Sequence, residues 1–195
     1  MNLALFDFDG TLTHKDSLPD FIQYAVGKPN YYFGLALLSP VMLAYLSGFT
    51  RNDIAKQKLM AQYFRGWSFE RYKQVAEKYS QSEIYKIIRQ QAVEKLEWHQ
   101  SQGDRVIVVS ASMEDWLKPW CDNREVELLA TRLASENGIL SGQFATANCH
   151  GKEKVKRIEA LLKLSDYDCI YAYGDSSGDT EMLAIADQSF YRRFN

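Results

Sequence analysis

At 195 residues, with 46% apolar and 25% charged side chains, the chain has the size and composition of one large globular domain, or of one domain carrying an insertion. A net charge of −2 without any Lys/Arg block leaves no electrostatic footprint for nucleic acid. Three scattered cysteines (Cys121, Cys149, Cys169) and three scattered histidines argue against a disulfide framework, a zinc site or a histidine-based metal centre.

The first element is a short apolar run, Leu3–Phe6, which reads as a buried strand of a parallel sheet. It runs into Asp7-Phe8-Asp9-Gly10-Thr11. Side chains two apart share one face of a strand, so Asp7 and Asp9 point the same way and repel each other unless a cation joins them. Gly10 allows a sharp turn or a close backbone approach. Asp7 also interrupts any signal-peptide core, and the cytoplasm is the expected location. A helix is predicted from Asp16 or Ser17 as N-cap, with Pro19 in its first turn, Phe21, Ile22 and Val26 on its apolar side, and Gly27 at its end.

Residues 29–50 carry no charge and are long enough for a transmembrane helix, but Asn30, Gly34, Ser39 and Pro40 interrupt them. They predict one kinked or two short helices buried in a helical insert, with shallow interfacial docking as the alternative. Helices follow from Thr50 and Asp53 to Gly66, with Ile54, Leu59 and Phe64 inward, and from Ser68 to about Tyr79. A single long helix is expected over 82–102, closed by Gly103. The aromatics Tyr24, Tyr31, Tyr32, Phe33, Tyr45, Phe64 and Trp67 read as the core of this insert.

Residues 105–109 form the second buried strand, which ends at Ser110-Ala111-Ser112, and a helix covers 113–120. Residues 128–131 and Ile139–Phe144 read as hairpin arms around Asn137-Gly138. An amphipathic helix over 153–164 turns Val155, Ile158, Leu161 and Leu162 inward. The strand at 168–173 ends in Gly174-Asp175-Ser176-Ser177-Gly178-Asp179, and a short helix follows at 180–186.

Strand–loop–helix alternation around an all-helical block predicts an α/β fold: a doubly wound parallel sheet formed by 1–15 and 87–195, with a helical cap over 16–86. Three strands hand over to polar residues at their carboxyl ends, where open α/β sheets bind ligands. Asp7, Asp9, Ser110, Asp175 and Asp179 are therefore expected in one crevice. A membrane span at 29–50 would separate Asp7 from Ser110 and Asp175, and is rejected for that reason.

The four motifs in order resemble the haloacid dehalogenase superfamily of phosphohydrolases: DFDGT at 7–11, VVSAS ending on Ser110-Ala111-Ser112, GKEKV at 151–155 and GDSSGD at 174–179. The helical insert resembles the subfamily that includes phosphoserine phosphatases, and the motif wording is most similar to the branch containing phosphatidylglycerophosphatase C. The resemblance implies Asp7 as nucleophile through an aspartyl phosphate and Asp9 as acid and base. It implies Mg²⁺ held by the Asp7 and Asp175 side chains and the Asp9 carbonyl, with Asp179 holding the metal's waters or the catalytic lysine. Phosphoryl oxygens would meet the Ser110 hydroxyl and the strand end at Ala111, together with the Asp9 and Gly10 amides. The lysine is Lys154 or Lys152, Lys154 being favoured because it directly precedes Val155. Four carboxylates in one crevice suit a hard cation with oxygen ligands.

The implied reaction is phosphomonoester hydrolysis, on an amphiphilic or lipid phosphate if the uncharged 29–50 stretch meets substrate or a membrane surface. Phosphoserine or another small metabolite is the rival substrate, with Asp16 at the position of the cap-hinge acid. Against it, Gly10 stands where phosphoserine phosphatases usually have Ser, and Ala111-Ser112 where they usually have Gly-Gly. A non-catalytic Mg²⁺-binding or membrane-docking module is the alternative from another class.

Overall fold

The computed structural model describes residues 1–194. Five strands, β1 (Leu3–Phe6), β2 (Arg105–Met113), β3 (Glu127–Thr131), β6 (Ile170–Gly174) and β7 (Gln188–Tyr191), form one sheet in the order β3-β2-β1-β6-β7. Every pairing is parallel. β1 is central and buried on both faces, which is why its sequence is apolar without alternation. Leu3 and Leu5 pack with Ile107, Val109, Ile158 and Met182, whereas Ala4 and Phe6 pack with Val106, Val108 and Tyr173 on the opposite face. Helices α8 (Lys152–Leu161) and α9 (Thr180–Ala184) cover the first face; α6 (Gln90–Ser101) and α7 (Glu114–Asp122) cover the second.

Between β1 and β2 the chain makes α1 (Ser17–Val26), α2 (Lys28–Leu37), α3 (Ser39–Leu46), α4 (Asn52–Phe64) and α5 (Phe69–Ser82). Asp16 caps α1 by accepting from the Leu18 N–H at 2.8 Å, and the Ser68 hydroxyl caps α5. Phe21 of α1 joins this block to the rest: its ring stacks on Trp116 at 4.4 Å and meets the edges of Tyr72 and Tyr79.

Five sequence expectations are corrected. The helix over 82–102 is broken: only a 3₁₀ turn forms at Ile84–Lys86, and α6 begins at Gln90. The intervening chain runs antiparallel to the outgoing connection, with Ile88 bridging Thr13, His14 N–H donating to Ile87 O and Arg89 N–H to Leu12 O. Those backbone bonds offset the ones a continuous helix would have made. Residues 128–131 belong to β3 in the parallel sheet; the hairpin consists of β4 (Leu133–Glu136) and β5 (Ile139–Phe144), turning at Asn137 and Gly138, both with positive φ.

The 29–50 helices are not buried. α2 buries only Gly34 and α3 buries nothing, while Tyr32 and Phe33 are 61% and 67% exposed. On α4 the inward residues are Ala55, Met60, Tyr63 and Phe64, with Ile54 outside; on α8 Lys154 and Ile158 are buried and Leu161 faces out.

Candidate active site

The carboxyl ends of β1, β2 and β6 open into a cleft of about 340 Å³. Register places Phe6 beside Val108 and Tyr173, so the residues that leave these strands start from neighbouring positions. Asp7 follows β1, Asp175 follows β6, and Asp179 ends the short turn Ser177–Asp179. One carboxylate oxygen from each of the three lies within 4.8 Å of the others. Asp9, two residues beyond Asp7, also lines the cleft. Its two oxygens accept from the Ser17 N–H at 2.7 Å and from the Ser112 hydroxyl.

Lys154, at the third position of α8, is 1% exposed. Its ammonium donates to Asp7 Oδ1 at 2.6 Å, Asp179 Oδ1 at 2.6 Å and Val109 O at 2.7 Å, using all three protons. Lys152 is exposed, so the site contains Lys154. Asp179 spends its other oxygen on the amides of Asp175 and Ser176 and on the Ser176 hydroxyl. It is a fixed clamp on the lysine.

Ser110 ends the apolar part of β2 and is fully buried; its hydroxyl accepts from the Ser112 N–H at 3.1 Å. Ala111 reaches the cleft surface itself. Gly10 is required twice over. Its φ is +82°, and a Cβ there would sit 2.3 Å from Asp175 Oδ2.

Burial raises Asp7 to about 8 against the pull of Lys154. Asp175 is raised by burial and by the nearby Asp179 charge. Burial opposes ionisation of Asp179 as well, but Lys154 and the Ser176 donors prevail and hold it below the ordinary carboxylate range. Burial likewise works against the Lys154 charge, yet its two carboxylates keep the ammonium above its usual range. The carboxylates of Asp7, Asp9, Asp16, Asp175 and Asp179 face two ammonium groups, Lys56 and Lys154. That excess of negative charge calls for a further cation. Asp175 Oδ1 is buried without a partner among the described residues. The donor set is all oxygen, which fits Mg²⁺.

The insert supplies the opposite wall. Lys56 of α4 reaches Ala111 O at 3.4 Å, and Asp16, Tyr45 and Asn52 line the cleft with it. Asn52 donates to the Tyr45 hydroxyl at 3.0 Å and accepts from Asn148 at 2.9 Å, so α3, α4 and the loop before α8 are joined. Burial and the Asp9 charge push Asp16 up to about 6. His150 packs its ring over Gly178, where a Cβ would lie 2.5 Å from Nε2. Tyr45, Asn52, His150 and the two serines that hold Asp9 were not foreseen as site residues. Only the proximity of Ser112 to Ser110 was a usable signal. A larger groove of about 690 Å³ runs between α5 and α7. It holds no motif residue, and several of its charges pair with each other, as in Lys118–Asp122 and Arg132–Glu114.

The profile of haloacid dehalogenase-like hydrolases matches residues 4–184. The chain belongs to that family. It is an enzyme, a hydrolase of that family. Protein CicA of Caulobacter vibrioides is 35% identical over 98% of this chain and 86% of its own length. A Bordetella pertussis protein of unknown function superposes with a TM-score of 0.80 at 23% identity, covering 96% of this chain and 88% of that one. A phosphoserine phosphatase, solved as a phospho-aspartyl intermediate analogue, superposes at 0.69 with 19% identity, covering 96% and 84%. At these identities the two structures show a shared fold.

Proposed function

We propose that the enzyme is a Mg²⁺-dependent phosphomonoesterase that works through an aspartyl phosphate on Asp7. The carrying observation is the buried Asp7–Lys154–Asp179 arrangement at the strand ends, with the unpartnered Asp175 oxygen beside it. Mg²⁺ held by Asp7, Asp175 and the Asp9 carbonyl would supply charge neutralisation at the phosphoryl oxygens. An Asp7 oxygen attacks phosphorus as the bond to the leaving oxygen breaks. Asp9 gives that oxygen a proton, then takes one from the water that cleaves the acyl phosphate. Ser17 and Ser112 fix the Asp9 carboxyl for both steps. Lys154 offsets charge on Asp7 and the phosphoryl group. Ser110, whose hydroxyl already accepts from Ser112, keeps its own proton for a phosphoryl oxygen.

The residues over 16–86 act as the cap in this reading, and exclude water while the phosphoenzyme forms. The substrate proposed is an amphiphilic or lipid phosphate of the phosphatidylglycerophosphate kind. Supporting it, the α2–α3 pair, charge-free from Pro29 onward, lies next to the cleft through Tyr45. A second reading, phosphoserine or another small charged phosphate, is favoured by one carboxylate and one ammonium from the insert, Asp16 and Lys56, at the same cleft. Hydrolysis of a panel of lipid, sugar and amino-acid phosphates, with Mg²⁺ and then with chelator, tests the proposal. Turnover that Mg²⁺ restores, and that favours long-chain over short-chain esters, supports it. Full turnover in chelator would rule out the metal role, and preference for phosphoserine would move the assignment to the second reading.

A further inference from the structure

The helical insert is held unevenly. Its α4–α5 turn is stitched to β5: Gly66 N–H donates to Leu140 O, Leu140 N–H to Trp67 O, and Phe69 N–H to Gly138 O. Gly142 of β5 presses on α4 so closely that a Cβ would lie 2.3 Å from Ala61 Cα. The α2–α3 pair is held far more lightly. Gly34 seats against the Tyr63 ring, whose hydroxyl donates to Tyr31 O at 2.6 Å, and Tyr45 meets Asn52. Gly27 and Gly48 flank the pair, with φ of +80° and +79°.

Outward, this pair and the turn after it present Tyr32, Phe33, Leu37, Leu43, Leu46 and Phe49, from 58% to 90% exposed. No charged residue lies between Pro29 and Thr50, while Lys28 and Arg51, both exposed, bracket the stretch. Large apolar side chains collected in one exposed, uncharged segment mark an interaction surface. We infer that the α2–α3 pair docks on an anionic lipid bilayer, its exposed apolar side chains entering the boundary between headgroups and acyl chains.

Three features choose a bilayer as the occupant. Helices of 10 and 8 residues are about 15 and 12 Å long, too short to cross a core of about 30 Å, so they lie in the plane of the interface. The mixture of Tyr and Phe with Leu is the composition that interfaces select, and Lys28 complements anionic headgroups at one end, while Arg51 at the other is paired with Asp53. Tyr45 lies on α3 itself and lines the cleft, so docking sets the catalytic opening beside the membrane. This inference rests on the proposed phosphatase activity only for the use to which docking is put.

The test is co-sedimentation of the whole chain with vesicles of phosphatidylcholine, with and without phosphatidylserine. It is run beside a triple variant, Phe33→Ser, Leu46→Ser and Phe49→Ser, and both proteins are assayed on p-nitrophenyl phosphate without vesicles. The wild-type chain is expected to sediment with the anionic vesicles about tenfold more than the variant, with equal soluble activity. A wild-type chain left in the supernatant, or a variant that sediments equally, overturns docking. A wild-type dimer that the variant dissociates, without vesicle binding, overturns it in favour of a second copy on the same face. Vesicle binding without p-nitrophenyl phosphate turnover sustains docking and sinks the phosphatase reading instead.

Discussion

The two walls of the cleft are built on opposite terms. On the strand-end wall Asp7, Lys154 and Asp179 are at most 6% exposed, and Lys154 and Asp179 have every donor or acceptor in use. On the insert wall Lys56 has one long bond, and Tyr45, near the end of the lightly held α2–α3 pair, and Asn52, at the start of α4, are half-buried. The difference teaches a division of labour. In the proposed reaction, the groups that would meet the phosphorus are fixed by a buried network, and those that would meet the rest of the substrate sit on more exposed, lightly bonded elements.

Removing the nucleophile should separate the walls most sharply. Asp7→Asn keeps the shape of the strand end, so turnover should fall by about 10⁴ or more while Tm stays near that of the wild type. Activity retained in that variant would break the comparison. Next in size, Lys154→Met leaves Asp7 and Asp179 buried without their cation. Loss of roughly 3–5 kcal/mol in chemical unfolding is expected, together with loss of turnover. An unchanged unfolding midpoint would mean that the wall is not held by this pair.

Lys56→Ala, on the other wall, should raise KM by about tenfold with kcat little changed, the mark of an interaction made with substrate and transition state alike. A kcat loss as large as that of Lys154→Met would erase the distinction.

The smallest effect lies behind the strand-end wall. His99 is fully buried, its ring donating to Asp104 at 2.8 Å and accepting from the Tyr173 hydroxyl at 3.0 Å. Tyr173 in turn stacks on Phe6. Burial lowers the His99 pKa below its ordinary 6.5 despite Asp104. The neutral ring is thus favoured in the folded state. Its contribution is complete above pH 6.5 and is lost as pH falls below that value. Urea unfolding followed from neutral to mildly acidic pH should show this decline, and His99→Gln should flatten it.

The strand-end wall was legible because its information is local. Asp7 and Asp9 are two apart at the end of an apolar run, Asp175 and Asp179 flank a glycine-rich turn, and Lys154 stands at a helix start. On the insert wall Asp16 was legible, whereas Tyr45 and Asn52, like His150 of the core, join it through tertiary packing alone. Similar reasons explain the structural misses. Ile84, Ile87 and Ile88 stand at helical spacing, yet the pairing of Ile88 with Thr13 overrides it. β7 (QSFY) has no apolar run to announce it, because an edge strand with mostly exposed residues needs none. The exposed α2–α3 face read as core because apolar composition alone does not say which partner covers it.

The central claim is that Asp7 carries the phosphoryl group between substrate and water. Rapid acid quench during turnover of a ³²P-labelled monoester, followed by peptide mapping, measures this directly. The account predicts a hydroxylamine-sensitive label on the peptide containing Asp7, formed and lost at rates compatible with turnover and absent from Asp7→Asn. Steady hydrolysis with no label on that peptide, or label on another residue, would contradict it.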